Sequence, residues 1–326
     1  MAVGIGIVGL GWWGRALADG TLAAEGVEVV AGFARSADAR AAFARDYACK
    51  APGSLEELLA DPGVEGILVA TPHSTHLDIL EAAAAAGKAV LMEKPLALTK
   101  VAAEQAIAIA TKAGIPLMVG HQRRRTAANR AIKKMIDAGD IGPIQMAEAN
   151  QSLGKALTHP DDAWRRDRGE SPLGGMTSLG VHKVDTMHYL IGPMKRVAVF
   201  TKNEMERPEI DEATVIAIEF ESGAVGTLVT SFVVPMISRI SIYGMKASAF
   251  NDFDGTSLEI QKMDEGRVPV ALDPVDPVVD QLVEFGKVVR GEMAPETGAA
   301  EGLAVVSVLE AMVESSLTGK AVDVRY

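Results

Sequence analysis

The sequence predicts an α/β chain in two parts: a doubly wound parallel sheet with helices on both faces, then an α+β segment built on an antiparallel sheet. Three observations carry this. From Val3 to Gly120, short runs of Val, Ile and Leu alternate with Ala- and Leu-rich helical segments, the grammar of βαβ units. The first apolar run ends in Gly9-Leu10-Gly11-Trp12-Trp13-Gly14. After Gly120, strand-like runs follow one another without helices between them, which reads as antiparallel pairing. The boundary is placed near His121, giving segments 1–121 and 122–326.

The elements follow in order. Val3 to Val8 is a short buried strand, and helical periodicity runs from Leu17 to Ala24. Strands are predicted over Val27–Phe33, Gly66–Ala70, Ala89–Met92 and Pro116–Gly120, with helices over Ser36–Tyr47, His76–Ala86 and Thr99–Ala113. A basic helix over Arg123–Asp137 ends at Gly139, and Gly142-Pro143 opens a strand running to Gln151. The polar stretch Ser152–Gly175 reads as a long loop and Gly175–Leu190 as a helix. Four strands are then predicted over Arg196–Thr201, Ala213–Glu221, Ala224–Phe232 and Ile237–Tyr243, with Ser222-Gly223 as a hairpin turn. Helices over Pro277–Arg290 and Ala299–Leu317 close the chain.

At 326 residues the chain has room for about two domains. Its 32 basic and 43 acidic side chains leave a net charge of −11, which opposes a nucleic-acid partner, since binding a polyanion needs a concentrated basic face. The one dense basic run, Arg123-Arg124-Arg125 with Arg130, Lys133 and Lys134, reads as a solvated helix flank. No apolar run reaches the length of a membrane span. The first apolar stretch has no Lys or Arg before it and is broken by glycines, so no signal peptide is expected. The single Cys49 excludes an intramolecular disulfide and fits a reducing, cytoplasmic compartment.

The glycine fingerprint sits where a dinucleotide site requires it, after a strand and opening a helix. Gly9 permits the tight turn, Gly11 lets backbone approach a pyrophosphate, and Gly14 allows close helix–strand packing. Trp12 and Trp13, between Gly11 and Gly14 where the helix opens, are further cofactor-binding candidates. About twenty residues on, an NAD enzyme usually offers a carboxylate to the ribose hydroxyls. Here the stretch reads Gly32-Phe33-Ala34-Arg35-Ser36, with no acid before Asp38. Either Arg35 pairs with a 2′-phosphate and Ser36 adds a hydrogen bond, or Arg35 is solvated and Ser36 only caps the next helix. The missing carboxylate favours NADP over NAD.

Glu93-Lys94-Pro95 follows the strand Ala89–Met92, at the strand end where ligands bind open α/β sheets. Pro95 restricts Lys94 to extended backbone and lets its side chain be aimed. Periodicity alone does not separate a functional ammonium from a snorkelling surface lysine.

The fingerprint, Thr71-Pro72 with His76, Glu93-Lys94-Pro95, and Gly174-Gly175 through Gly180-Val181-His182 to Asp185 together resemble the Gfo/Idh/MocA oxidoreductases over the whole chain. The resemblance implies an N-terminal Rossmann domain and a C-terminal α+β domain with a large open, mainly antiparallel sheet. It also implies hydride transfer between a nicotinamide and a secondary alcohol or ketone of a sugar, polyol or cyclic diol. Lys94 matches the family's active-site lysine and His182 its catalytic histidine, while Thr71, Pro72, His73, His76 and Glu93 fall in its cofactor-binding segments. A histidine that titrates near neutrality suits removal of a hydroxyl proton, and a lysine beside the oxygen stabilises developing alkoxide charge.

One position departs from the family pattern: Ser178 stands where many members carry an acid, four residues before His182. That removes a simple Asp/His pair. Asp185 matches a family acid and is placed either on substrate or behind His182. Gln122, Arg123, Trp164 and Arg165 resemble substrate-facing positions. Trp164 reads either as a sugar-stacking ring or as packing, and Arg165 either as a substrate contact or as an ion pair with Asp161 or Asp162.

No metal is expected, because the six histidines show no ligand spacing. Two other readings stand beside the dehydrogenase: a non-catalytic NAD(P)-binding sensor, and an NAD-dependent hydrolase or lyase working through transient oxidation. The sheet over Arg196–Tyr243 carries Val, Ile and Ala on both alternations, more than one solvated face needs, so a homodimer or homotetramer is expected.

Overall fold

The computed structural model describes residues 2–158, 163–204 and 210–326. In chain order the elements are β1 (Val3–Val8), α1 (Trp12–Ala23), β2 (Val27–Phe33), α2 (Ala37–Tyr47), α3 (Leu55–Ala60), β3 (Gly66–Val69), α4 (His76–Ala85), β4 (Ala89–Met92), α5 (Lys100–Ala113) and β5 (Leu117–Val119). Then come α6 (Ala127–Asp137), β6 (Ile144–Ser152), α7 (Val181–Ile191), β7 (Met194–Lys202), β8 (Ala213–Phe220), β9 (Val225–Ser231), β10 (Ile237–Gly244), β11 (Ala247–Asp252), β12 (Ser257–Lys262) and β13 (Val268–Pro269). The chain closes with α8 (Pro277–Val289), α9 (Ala299–Thr318) and β14 (Val322–Asp323).

The contacts divide the chain into two units, Met1–His121 with Asp276–Val306, and Gln122–Val275 with Ser307–Tyr326. In the first unit five parallel strands run in the order β2-β1-β3-β4-β5. Residues alternate strictly between its two faces. Ile67, Val69, Val90 and Met92 pack with Leu58, Leu80, Ala103 and Ala106 of α3, α4 and α5. Ile5, Ile7, Leu68 and Leu91 pack with Leu17, Phe43, Leu282 and Phe285 of α1, α2 and α8. Helices on both faces bury β1, β3, β4 and β5 completely, which is why these strands carry no charged residue. The helix starts are capped by side chains: Ser36 Oγ accepts from Ala39 N, Thr99 Oγ1 from Ala102 N, and Asp276 from Val278 N and Val279 N, with Pro277 in the first turn. The sequence reading assigned α8 to the second segment, but its apolar stripe fills the face of the parallel sheet shared with α1.

The second unit is a nine-stranded sheet in the order β13-β12-β11-β10-β6-β9-β8-β7-β14. Every pair is antiparallel except β6 with β9. Helices α6 and α7 pack together on one face, over β11 and β6. Apolar residues occupy both faces of the sheet: Ile216, Ile218, Leu228, Ile240 and Ile242 are buried on one, and Val215, Val225, Met146 and Phe200 lie exposed on the other.

Three local expectations are corrected, and strands β11, β12, β13 and β14 and helix α3 have no counterpart among the expected elements. Ala-Ser-Ala-Phe-Asn-Asp carries almost no β-branched signal, and α3 is six residues long, too short for helical periodicity to register. The helix predicted from Arg123 begins as a 3-10 turn over Gln122–Arg125, with α6 starting at Ala127. Its basic run is not a solvated flank, because Arg124 and Arg125 are buried. The helix predicted from Gly175 opens with a π-helical turn over Met176–Gly180.

Candidate active site

In the first unit the loop after β1 forms a tight, glycine-lined backbone cradle. Gly9 has φ +96°, and a Cβ there would lie 2.5 Å from Ala70 O. A Cβ on Gly14 would lie 1.9 Å from Gly9 O, so neither position accepts a side chain. Gly11, by contrast, faces open space. Helix α1 starts at Gly11 with no side-chain cap and no acid in its first turn. Its first backbone N–H groups and the positive end of its dipole therefore point at whatever fills that space, an arrangement that fits a pyrophosphate. Trp12 is exposed and meets half-buried Trp13 edge-on at 5.2 Å between ring centroids.

The end of β2 is held by Arg40, which the sequence reading did not single out. Its Nη1 donates to Ala34 O at 2.8 Å and Arg35 O at 3.0 Å. Arg35 is exposed, and Ser36 caps α2.

Beyond β3, Thr71 and Pro72 lead into a 3-10 turn over His73–Thr75, where Thr75 Oγ1 donates to Pro72 O and lies 2.8 Å from Thr71 Oγ1. His73 and His76 are buried edge-to-face at 5.7 Å, and His76 Nδ1 lies 3.3 Å from Leu96 O. Beyond β4, Glu93 is buried with a carboxylate oxygen 3.4 Å from Lys94 N. Lys94, half-buried and joined to Pro95 by a cis peptide, stands at the carboxyl end of β4. The cradle and Lys94 thus share the carboxyl edge of one parallel sheet, the edge at which such sheets bind ligands.

In the second unit the π-helical turn carries Ser178, and His182 lies in the first turn of α7; both are buried. Single π turns within helices are frequent at functional sites. Asp185 is held by Arg124: its carboxylate accepts from Arg124 Nε at 3.0 Å and Nη2 at 2.5 Å. The same guanidinium lies over the Tyr189 ring, 5.1 Å from its centroid. Gln122 is buried. Arg123 turns to Asp254, to which its Nη1 donates. Trp164 stacks under Arg165, 4.1 Å from guanidinium carbon to ring centroid. The alternative partners Asp161 and Asp162 lie outside the described residues.

Sequence reasoning also missed Lys183, Ser238 and Asp254. Lys183 Nζ donates to Ser238 Oγ at 3.4 Å, and Ser238 Oγ lies 2.8 Å from Asp254 Oδ1 and 2.9 Å from Gln151 Oε1. Burial pushes the Lys183 ammonium down to about 7, Arg123 pushes in the same direction, and Asp252 opposes them. The available signal was a lysine between Val181 and Val184 on an apolar stretch. Among the described residues, no three His, Cys, Asp or Glu side chains gather to hold a metal, and no helix is long and apolar enough to cross a membrane.

Residues 3–121 match the NAD-binding Rossmann-fold domain of the oxidoreductase family, and residues 129–250 match the GFO/IDH/MocA C-terminal domain. Among curated proteins, 1,5-anhydro-D-fructose reductase of Ensifer adhaerens is 28% identical over 98% of both chains. Trans-1,2-dihydrobenzene-1,2-diol dehydrogenase of Mus musculus is 28% identical over 68% of this chain and 66% of its own. Among solved structures, a Desulfitobacterium hafniense protein provisionally described as an NADPH-dependent oxidoreductase superposes with a TM-score of 0.94. It is 29% identical, with 99% of this chain and 98% of that one covered.

Proposed function

Because the chain belongs to the Gfo/Idh/MocA family of NAD-binding oxidoreductases, we propose that it transfers hydride between NADP(H) and a secondary alcohol or ketone of a sugar, polyol or cyclic diol. Lys94 and His182 serve the reacting oxygen. The observation that carries this reading is the shared carboxyl edge of the parallel sheet, with the glycine cradle after β1 and Lys94 just after β4.

When bound, the nicotinamide dinucleotide supplies the hydride acceptor or donor. The α1 N-terminus behind Gly9, Gly11 and Gly14 holds its phosphates. Arg35 and Ser36 take the 2′-phosphate, in keeping with the missing carboxylate after β2. Thr71, Pro72, His73 and His76 wall the same edge. In the oxidation direction, His182 takes the hydroxyl proton as the carbinol hydrogen leaves with its electron pair. Lys94 donates a hydrogen bond to the oxygen and stabilises its growing negative charge. Cofactor binding is assigned to the first segment, and substrate binding and assembly to the second. Gln122, Arg123, Trp164, Arg165 and Ser178 are the candidate substrate contacts, with Asp185 acting through Arg124.

The second unit's exposed sheet face supports a homodimer or homotetramer. Met146, Ala198, Ala217 and Val225 line an apolar groove of about 310 Å³ on it. The single half-buried Cys49, whose thiol burial pushes up, agrees with a reducing, cytoplasmic setting.

The test is a screen of sugars, polyols and cyclic diols, following nicotinamide absorbance, with wild type and Lys94→Ala. Turnover by wild type that Lys94→Ala abolishes, with NADPH affinity nearly intact, supports the reading. NADPH binding without turnover on any substrate refutes it.

A further inference from the structure

We propose that Asp254 is a specificity-determining residue: it masks the charge of Arg123 and so directs the enzyme to uncharged polyols, sugars or diols over their carboxylated counterparts. The inference rests on the reading of Arg123 as substrate-facing, and goes beyond it by naming what that arginine is prevented from doing.

The first support is the pairing itself. Arg123 Nη1 donates to Asp254 Oδ2, while Asp254 Oδ1 lies 2.8 Å from Ser238 Oγ. Both carboxylate oxygens are therefore engaged, one on the arginine and one on the sheet. An arginine fork free of a carboxylate recognises substrate carboxylates in two-point geometry. With Asp254 on it, Arg123 presents hydrogen-bond donors without net charge.

The second support is the backbone that delivers Asp254. Phe253, Asp254 and Gly255 have φ of +50°, +61° and +91°, so two consecutive non-glycine residues occupy the left-handed region that L-residues avoid. Such conformations persist where the surroundings over-determine them, and they cluster at functional sites. Here the tip is pressed against the turn that carries Arg123, because a Cβ on Gly255 would come 2.4 Å from Thr126 Cβ. Arg123 and Asp254 are held to each other from both sides.

The third support is the fate of the neighbouring cations. Arg124 gives two donors to buried Asp185. Lys183, beside His182 in sequence, is buried against Ser238 and its ammonium is disfavoured. At Arg123, Arg124 and Lys183, positive charge is compensated or suppressed. An incoming anion would compete with Asp254 or Asp185 for its counter-charge, whereas a hydroxyl accepts and donates hydrogen bonds at no such cost.

The experiment measures kcat/KM with NADP(H) on matched pairs, D-glucitol with D-gluconate and D-glucose with D-glucuronate. It uses wild type, Asp254→Asn, Arg123→Met and the double variant. Asn tolerates the left-handed backbone, so Asp254→Asn preserves the tip. Wild type should favour the neutral member, Asp254→Asn should raise the acid-to-neutral ratio tenfold or more, and the double variant should return it to the wild-type value. A wild-type preference for the acids, or a ratio unmoved in Asp254→Asn whether or not both rates fall, overturns the inference. If no pair turns over in any variant, the dehydrogenase reading fails for these substrates. The mask is then tested by thermal shift with D-gluconate: stabilisation of Asp254→Asn but not of wild type supports it, and equal responses overturn it.

Discussion

Asp185 lies three residues after His182 on α7, yet both of its carboxylate oxygens belong to Arg124, 61 residues earlier in the chain. The pair is bidentate and nearly inaccessible to water, with side-chain exposures of 7% and 1%. Whatever Asp185 contributes to chemistry passes through the arginine it fixes.

Removing the carboxylate charge therefore breaks a buried ion pair. Asp185→Asn should cost about 3–5 kcal/mol of stability, read as a lower denaturant midpoint. Arg124→Met with Asp185→Leu should lose less than the two single variants combined, because the hydrophobic pair leaves no charge behind. Additive losses would show that the two residues act independently.

Coenzyme preference is expected to reside at the exposed end of β2. Arg35→Ala should weaken NADPH by tenfold or more, about 1.4 kcal/mol, and leave NADH nearly unchanged. Equal losses for both coenzymes in titration calorimetry would remove Arg35 from the 2′-phosphate.

Lys183 makes a signed prediction about pH. Its value falls from 10.5 to about 7 on burial, with Arg123, Asp252 and, through Ser238, Asp254 as the charged groups around it. Between these two values the unfolded chain holds a proton that the folded chain has released, so stability rises with pH across that window and carries the full penalty below it. Lys183→Met should flatten the slope by roughly 1.4 kcal/mol per pH unit between about pH 7 and 10. Parallel wild-type and variant curves from urea melts would rule the titration out.

The exposed sheet face predicts the behaviour of one surface variant. Val225 is exposed and lines the apolar groove, and Val225→Glu should lower the sedimentation mass while leaving the circular dichroism spectrum unchanged. A wild type that sediments as a monomer, or a variant mass equal to wild type, would mean that this face is not an interface.

The Rossmann sheet was legible because its signals are local. Its strands are apolar on both faces and each helix follows within a few residues, so periodicity, caps and the glycine fingerprint all lie inside short windows. Lys94 and His182 stood out through short motifs of the same kind. Strand β11 escaped because Ala-Ser-Ala-Phe-Asn-Asp has no β-branched residue and gains strand character from the partners beside it.

The parallel sheet, the glycine turn after β1, the lack of an acid at the end of β2 and the candidate lysine and histidine can all be read from the amino-acid order alone. Tertiary structure decided which charges neutralise which: Arg124 with Asp185, and Arg123 with Asp254 across 131 residues. It also decided that α8 returns to the parallel sheet rather than staying with the strands that precede it. The physical reason is the same in each case. Backbone conformation responds to neighbours in sequence, whereas a buried charge or an apolar stripe is satisfied by whichever distant segment the completed fold brings against it.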